Sequence, residues 1–182
     1  MKLPLLKISL FALIAILVST ACHKDESNEL AMGSIVFKID GVSFESVGAA
    51  GVIDTSFDDV QFFIITGVKN TGLTRAQTIA IEFSHPDSLT IGETTYSFDE
   101  NDWDCNGFDK ICGGLEYADV YFLNPNSSKT YDSGLGNSAI TFTSLDYQKG
   151  GSAKGTFSGT LNDGNGGTAS LTDGEFYVMI AE

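Results

Sequence analysis

Apolar residues recur at every second position over most of the chain beyond residue 33, and this period constrains the fold more than any other feature. The alternation runs over 34–39 and returns over 79–83, 140–142 and 154–161. Successive side chains of a β-strand point to opposite faces of its sheet, so the period predicts strands with one buried face. Twenty glycines and abundant threonine, phenylalanine and valine favour antiparallel strands joined by tight turns.

Three local signals refine this strand prediction. Asp40-Gly41 is typical of a tight β-hairpin turn. The segment 59–68 is apolar at both odd and even positions, which predicts a central strand. Near the end of the chain, the apolar positions change from odd to even at 172–175. That change predicts a β-bulge in which Gly174 takes a positive φ, or two separate short strands.

These patterns together predict an all-β domain over 33–182. We expect a single antiparallel β-sandwich or flattened meander barrel of about nine to eleven strands. A segment of this length can bury one sizeable core, and neither a second boundary nor an internal repeat interrupts it.

The first 21 residues have the pattern of a signal peptide rather than of the fold. Lys2 and Lys7 precede an apolar run over 8–18, which is too short to cross a bilayer of about 30 Å as a helix. Small residues at 19–21 then lead to Cys22. Residues 22–32 are polar and predict a flexible tether.

The cysteine after the small residues resembles the lipobox of bacterial lipoproteins, which implies that Cys22 is lipidated. Ser19 stands where a lipobox usually has Leu or Val, and ordinary secretion is the alternative. The sequence CHKDE at 22–26 resembles the export signal of surface-exposed Bacteroidota lipoproteins. This likeness implies an outer-membrane lipoprotein that faces the cell exterior, with a periplasmic orientation as the alternative. Several acyl chains on one cysteine would anchor the protein stably.

The charge of the chain excludes one class of partner. The formal net charge is −14, and it becomes −16 when residues 1–21 and their two lysines are removed. Nucleic acids and anionic membrane surfaces are bound through basic patches, so neither is expected as a partner. Contact with a membrane is expected through the lipid anchor only.

The three cysteines predict one disulfide. If Cys22 carries lipid, Cys105 and Cys112 remain to pair in an oxidising compartment. A bridge between them would close an eight-residue loop and stabilise it by roughly 2–3 kcal/mol. A zinc site is disfavoured because the domain offers only one histidine, His85, beside this pair.

The acidic stretch at 101–112, NDWDCNGFDKIC, carries the one sequence pattern that is typical of a metal site. Counted from Asp102, it matches the first half of an EF-hand calcium loop, but Gly113 stands at position twelve, where a glutamate is expected. Asp109 or Glu116 could supply the missing oxygen only in a different loop geometry. A bound Ca²⁺ and a solvated acidic loop are both open. The candidate calcium ligands are Asp102, Asp104, Asn106 and Asp109.

Trp103 lies between two aspartates of this stretch and is the candidate ligand-binding residue. An exposed tryptophan beside carboxylates is suited to stacking on a sugar ring while the acids accept hydroxyl hydrogen bonds. The alternative is that Trp103 folds back and caps the sheet. Signals of catalysis are weak, because no serine elbow or phosphate loop accompanies His85.

Two longer segments resemble a known family. FKIDGVSF at 37–44 and GTFSGTL followed by TASLTDGEFYV near the end are similar to Bacteroidota surface lipoproteins of unknown function. The resemblance implies the fold and the location, but no activity and no site residues.

Together these features predict a lipid-anchored, surface-exposed, non-enzymatic domain that binds a glycan or a protein partner. The alternatives are a structural lipoprotein with a calcium-stabilised acidic loop, and a barrel that carries a small hydrophobic ligand. The thirteen phenylalanines keep the last alternative open.

Overall fold

The computed structural model describes residues 29–57, 59–99, 102 and 110–181. Its described part is all-β, with ten strands and one short 3-10 helix, Pro125–Ser127. No helix within these ranges is both long and apolar enough to cross a membrane. The strands are β1 (Ser34–Ile39), β2 (Val42–Glu45), β3 (Gly48–Phe57), β4 (Val60–Asn70), β5 (Arg75–Pro86), β6 (Thr95–Asp99), β7 (Cys112–Tyr121), β8 (Lys129–Leu145), β9 (Ser152–Asn162) and β10 (Thr168–Met179).

All ten strands belong to one antiparallel sheet. Its order is β2-β1-β10-β9-β8-β7-β5-β4-β3, and β6 pairs with β8 beyond the part of β8 that pairs with β7. From β3 to β10 the chain is therefore a meander that only β6 interrupts, and the β1–β2 hairpin is added beside β10. The predicted all-β antiparallel fold is confirmed.

The sheet curls until β3, at one end of the strand order, reaches the residues that follow β10. Because β1 begins opposite Tyr177, the last residues of β10 extend past it and leave their outer edge open. Gly51 of β3 occupies that edge through a parallel bridge to Ile180, and its carbonyl accepts the N–H of Ala181 at 2.8 Å. The curled sheet encloses a concave face, and the core lies on this face.

Aromatic rings fill the concave face. Phe142 of β8 lies at the centre, with its ring centroid 6.0 Å from Phe63, 5.4 Å from Phe83 and 5.6 Å from Phe176. All four side chains are at most 2 % exposed. These contacts join β4, β5, β8 and β10, which lie on opposite sides of the curl. Full burial of each ring contributes about 1.5–3 kcal/mol to stability.

The predicted turn and bulge are both present, although one residue has a different role. Asp40 and Gly41 have φ of 49° and 79°, the positive pair that a two-residue hairpin turn needs. The register of β10 against β9 shifts between Leu171 and Gly174, which confirms the bulge. The positive φ there, however, belongs to Asp173, at 54°. Gly174 is needed for space instead, because a Cβ would overlap the carbonyl oxygen of Phe157.

The central strand predicted at 59–68 is present as β4, which begins at Val60 and pairs with β3 on one side and β5 on the other. Phe63 and Ile65 are fully buried on the concave face. Phe62 and Ile64 point to the convex face, where they are half-buried rather than covered. The segment is apolar at every position because one set of its side chains lies in the core and the other set is half-buried on the convex face.

Candidate functional site

A cleft of about 410 Å³ opens at the end of the concave face where β5 begins and β7 ends. We call it the mouth cleft. The aromatic, charged and amide side chains that line it alternate along three neighbouring strands, so each points to the concave side. They are Arg75 and Gln77 of β5, Tyr117, Asp119 and Tyr121 of β7, and Lys129 and Tyr131 of β8.

Strand register brings these side chains together. Arg75 pairs with Tyr121 across β5 and β7. Tyr117 pairs with Tyr131 across β7 and β8, and Asp119 pairs with Lys129. Side chains opposite one another on the same face of antiparallel strands have Cβ atoms about 5 Å apart. The cleft is thus assembled from residues far apart in sequence.

Arg75 and Asp119 form a bidentate ion pair in the cleft. Arg75 donates from Nε to Asp119 Oδ1 at 2.7 Å and from Nη2 to Oδ2 at 2.6 Å. The hydrogen bonds to Asp119 raise the pKa of Arg75 above its already high value. The guanidinium also lies over the ring of Tyr121, 5.0 Å from its centroid. This geometry fixes both the arginine and the tyrosine ring in position.

Tyr117 forms the floor between the cleft and the core. It is 3 % exposed, and its ring lies edge-on to Phe37 at 6.2 Å. Its hydroxyl accepts a hydrogen bond from Gln77 Nε2 at 2.7 Å. Burial raises the pKa of Tyr117 to about 12, so the phenol stays protonated at neutral pH. The ring of Tyr131 is tilted against it at 6.5 Å.

The remaining wall of the cleft is mainly apolar, with Asp40 of the β1–β2 turn and Ser127 as its polar residues. Its apolar residues are Ile39 at the end of β1, Val42 at the start of β2 and Ala169 at the start of β10. Val42 is 68 % exposed, so this wall opens to solvent. A cleft with an apolar wall, aromatic faces and a few fixed polar groups is the usual form of a small-ligand site.

Most residues singled out from the sequence lie outside the described ranges. These are Cys22, Trp103, Asp104, Cys105, Asn106 and Asp109. The roles predicted for them, in lipidation, ligand binding, disulfide formation and calcium binding, stay predictions. Asp102 and Cys112 are described, and neither of them lines the mouth cleft.

The carboxylate of Asp102 is bound to protein donors. Oδ1 accepts from Lys110 Nζ at 2.7 Å, and Oδ2 accepts from the backbone N–H of Asp99 at 3.1 Å. The bond from Lys110, followed by that from Asp99, lowers the pKa of Asp102. Within the described residues, no group of three or more acidic, histidine or cysteine side chains could hold a metal ion. Cys112 is fully buried at the start of β7.

His85 is a buried structural residue at the end of β5. It is 2 % exposed, with Nδ1 3.0 Å from the carbonyl oxygen of Pro86 and Nε2 2.8 Å from the hydroxyl of Tyr147. Nδ1 must donate to that carbonyl, so Nε2 accepts from Tyr147. Both ring nitrogens are therefore occupied. Burial raises the pKa of Tyr147 to about 12, which keeps this donor protonated.

Sequence reasoning missed the mouth cleft. The signal in the sequence is the alternation of Tyr117, Asp119 and Tyr121, which puts three polar or aromatic groups on one face of a strand. That alternation alone does not show that Arg75 and Lys129 lie beside it, because their approach depends on the pairing of β5 and β8 with β7.

The chain matches no family model, no curated protein and no solved structure in the three comparisons with known proteins.

A second, smaller pocket of about 140 Å³ lies on the convex face. It is lined by Phe62 and Ile64 of β4 and by Glu82 of β5. Burial, followed by the charge of Glu116 on the neighbouring strand, raises the pKa of Glu82 above its usual value of 4.5. A carboxyl group whose pKa is raised by folding destabilises the fold when it is ionised.

Replacing Glu82 by Gln should raise the melting temperature at pH 7 by a few degrees. The cost of ionised Glu82 is complete above the folded pKa and absent below about pH 4.5, where both folded and unfolded chains are protonated. The gain should therefore shrink as the pH falls to 4. Thermal melts over this range measure it, with the exposed Glu175→Gln as the control. An equal gain at pH 7 and pH 4 would contradict this explanation.

Proposed function

We propose that this chain is a lipid-anchored, non-enzymatic binding domain that takes a saccharide in the mouth cleft. The observation that carries the proposal is the convergence of Tyr117, Tyr121 and Tyr131 on one fixed ion pair, Arg75–Asp119, in a solvent-open concavity.

Saccharides need two kinds of contact at once, and the cleft offers both. The C–H faces of a pyranose ring pack on aromatic rings, which supply large contact area with few rotatable bonds. The hydroxyl groups need donors and acceptors set at fixed angles. Arg75 and Asp119 hold each other in place, so little side-chain entropy is lost when a ligand binds to them.

The size of the cleft favours a small ligand over a protein partner. Small-molecule sites usually enclose about 300–1,000 Å³, and the mouth cleft, at about 410 Å³, falls in this range. A stable protein complex instead buries about 800 Å² on each partner, over a surface that is broadly flat. The glycan-binding form of the predicted function is thus the one that the cleft supports.

Neither alternative function gains comparable support. The concave face is filled by Phe63, Phe83, Phe142 and Phe176, so the interior of the curl is occupied by the protein's own rings. This packing does not favour a small hydrophobic ligand inside the curl. Of the predicted calcium ligands only Asp102 is described, and its carboxylate is bonded to Lys110 and Asp99.

Lipidation of Cys22 and display on the outer membrane complete the proposal, and they rest on the sequence at 19–26. In cells fed labelled palmitate, we expect label in the membrane-bound chain. A Cys22→Ser chain should be unlabelled and soluble. Label that persists in Cys22→Ser would contradict the anchor, without bearing on the cleft.

Tyr131→Ala and Tyr121→Ala should each lower saccharide affinity about tenfold, since loss of one stacked ring costs about 1.4 kcal/mol. A glycan array identifies the ligand, and calorimetric titration of the purified chain measures its Kd.

The matched control is Tyr177→Ala on β10. This tyrosine points to the convex face, where Lys154 lies over its ring. The control should bind like the unaltered chain. Binding to no saccharide on the array, or an equal loss in all three variants, would refute the mouth cleft as the binding site.

A further inference from the structure

The mouth cleft keeps cationic donors open, while each of its carboxylates already accepts a hydrogen bond from the protein. Arg75 uses Nε and Nη2 on Asp119, which takes up only one edge of the guanidinium. Nη1 makes no hydrogen bond within the described residues. An arginine has five N–H donors arranged in a planar fork, so an edge with two parallel donors is left for a ligand.

Lys129 is the second open cation. It is exposed, lines the cleft, and makes no hydrogen bond or ion pair within the described residues. Asp119 is its cross-strand partner, and the pKa of Asp163 on the β9–β10 turn is lowered by hydrogen bonds from Asn165 and Gly167 and, to a smaller extent, by the charge of Lys129. The carboxylate of Asp163 is itself held by the backbone N–H groups of Asn165 and Gly167.

The acidic groups of the cleft already have donors. Asp119 accepts both hydrogen bonds from Arg75. Asp40 Oδ1 accepts the backbone N–H of Ser170 at 2.9 Å. The groups that the cleft still offers a ligand are therefore mainly positively charged hydrogen-bond donors.

Three of the five lysines other than Lys129 in the described part of the chain are held in ion pairs, whereas Lys69 lies over the Phe44 ring and Lys149 is exposed on the β8–β9 turn. Lys38, Lys110 and Lys154 are bound in ion pairs with Asp173, Asp102 and Glu29. In a chain with a formal charge of −14, an open cationic edge beside aromatic rings is a selective feature. The net charge of the chain repels an anionic ligand, whereas the open cationic edge attracts one.

We infer that the saccharide taken by the mouth cleft is acidic, with a carboxylate or sulfate group held between Arg75 Nη1 and the Lys129 ammonium. This inference rests on the proposed function and names its ligand class. The sugar ring packs on Tyr121 and Tyr131, and its acidic group meets the open edge of the guanidinium. Planar, two-armed donors of this kind match carboxylate geometry closely.

Calorimetric titration of the folded chain can separate the charge of the ligand from its shape. The probes are oligogalacturonate and its fully methyl-esterified form, together with sulfated oligosaccharides and their neutral parents. We expect an acidic oligosaccharide to bind at least tenfold more tightly than its neutral partner, because hydrogen bonds between charged groups are stronger than those between neutral ones. The two acidic series show whether carboxylate or sulfate is the group recognised.

Lys129→Gln should lower the affinity for the acidic probe about tenfold and leave the affinity for the neutral probe unchanged. Lys149→Gln, at an exposed lysine of the β8–β9 turn, is the matched control and should change neither. The preference for the acidic probe should also weaken between 50 and 500 mM salt, since exposed charges are screened.

The outcomes separate this inference from the proposed function. Equal affinity for acidic and neutral probes, with both lost in Tyr131→Ala, would overturn the acidic ligand and keep the saccharide site. An acidic preference that Lys129→Gln leaves intact would also overturn the inference. Binding of none of the probes, acidic or neutral, would overturn both proposals.

Discussion

The packing of rings around Phe142 is the interaction on which the rest of the structure depends. A ten-stranded sheet with one apolar face must cover that face, and here the sheet covers it by curling onto itself. Phe63 and Phe83 approach Phe142 from one side and Phe176 from the other. Small residues make the approach possible. At Gly155, for example, a Cβ would lie 2.6 Å from the Phe176 ring.

The mouth cleft is the continuation of this same face beyond the last layer of rings. Tyr117 marks the boundary, because its ring packs on Phe37 while its hydroxyl is turned to Gln77. Past it, β5, β7 and β8 keep the period of two but carry polar and aromatic groups instead of apolar ones. The core therefore positions the site, since the strands that are fixed by ring packing also set the distance from Arg75 to Asp119.

Features set by residues close together in the sequence could be predicted, whereas features set by contacts between distant strands could not. The period of two and the Asp40-Gly41 turn are local, and both predictions held. The bulge at 172–175 was predicted from a local change of parity, yet the role of Gly174 was not. Its role is to leave room for the Phe157 carbonyl, which belongs to another strand. The half-buried state of Phe62 and Ile64 on the convex face of β4 was missed for the same reason.

The site could not be predicted because its residues share no segment. Arg75 and Asp119 are 44 positions apart, and only the pairing of β5 with β7 brings them together. The sequence drew attention to 101–112 instead, where composition is unusual. Its predicted tryptophan site lies outside the described residues. The unusual composition of a segment is visible along the chain, whereas the convergence of residues from different strands is not.

The central claim is that a saccharide binds in the mouth cleft, and nuclear magnetic resonance titration tests it most directly. The ¹⁵N-labelled chain is titrated with an oligosaccharide that it binds, and the shifted signals are mapped onto the fold. We predict the largest changes at Arg75 Nε, Gln77 Nε2 and the backbone of 117–121 and 129–131. Changes confined to 99–112, or to the convex face around Glu82, would contradict it.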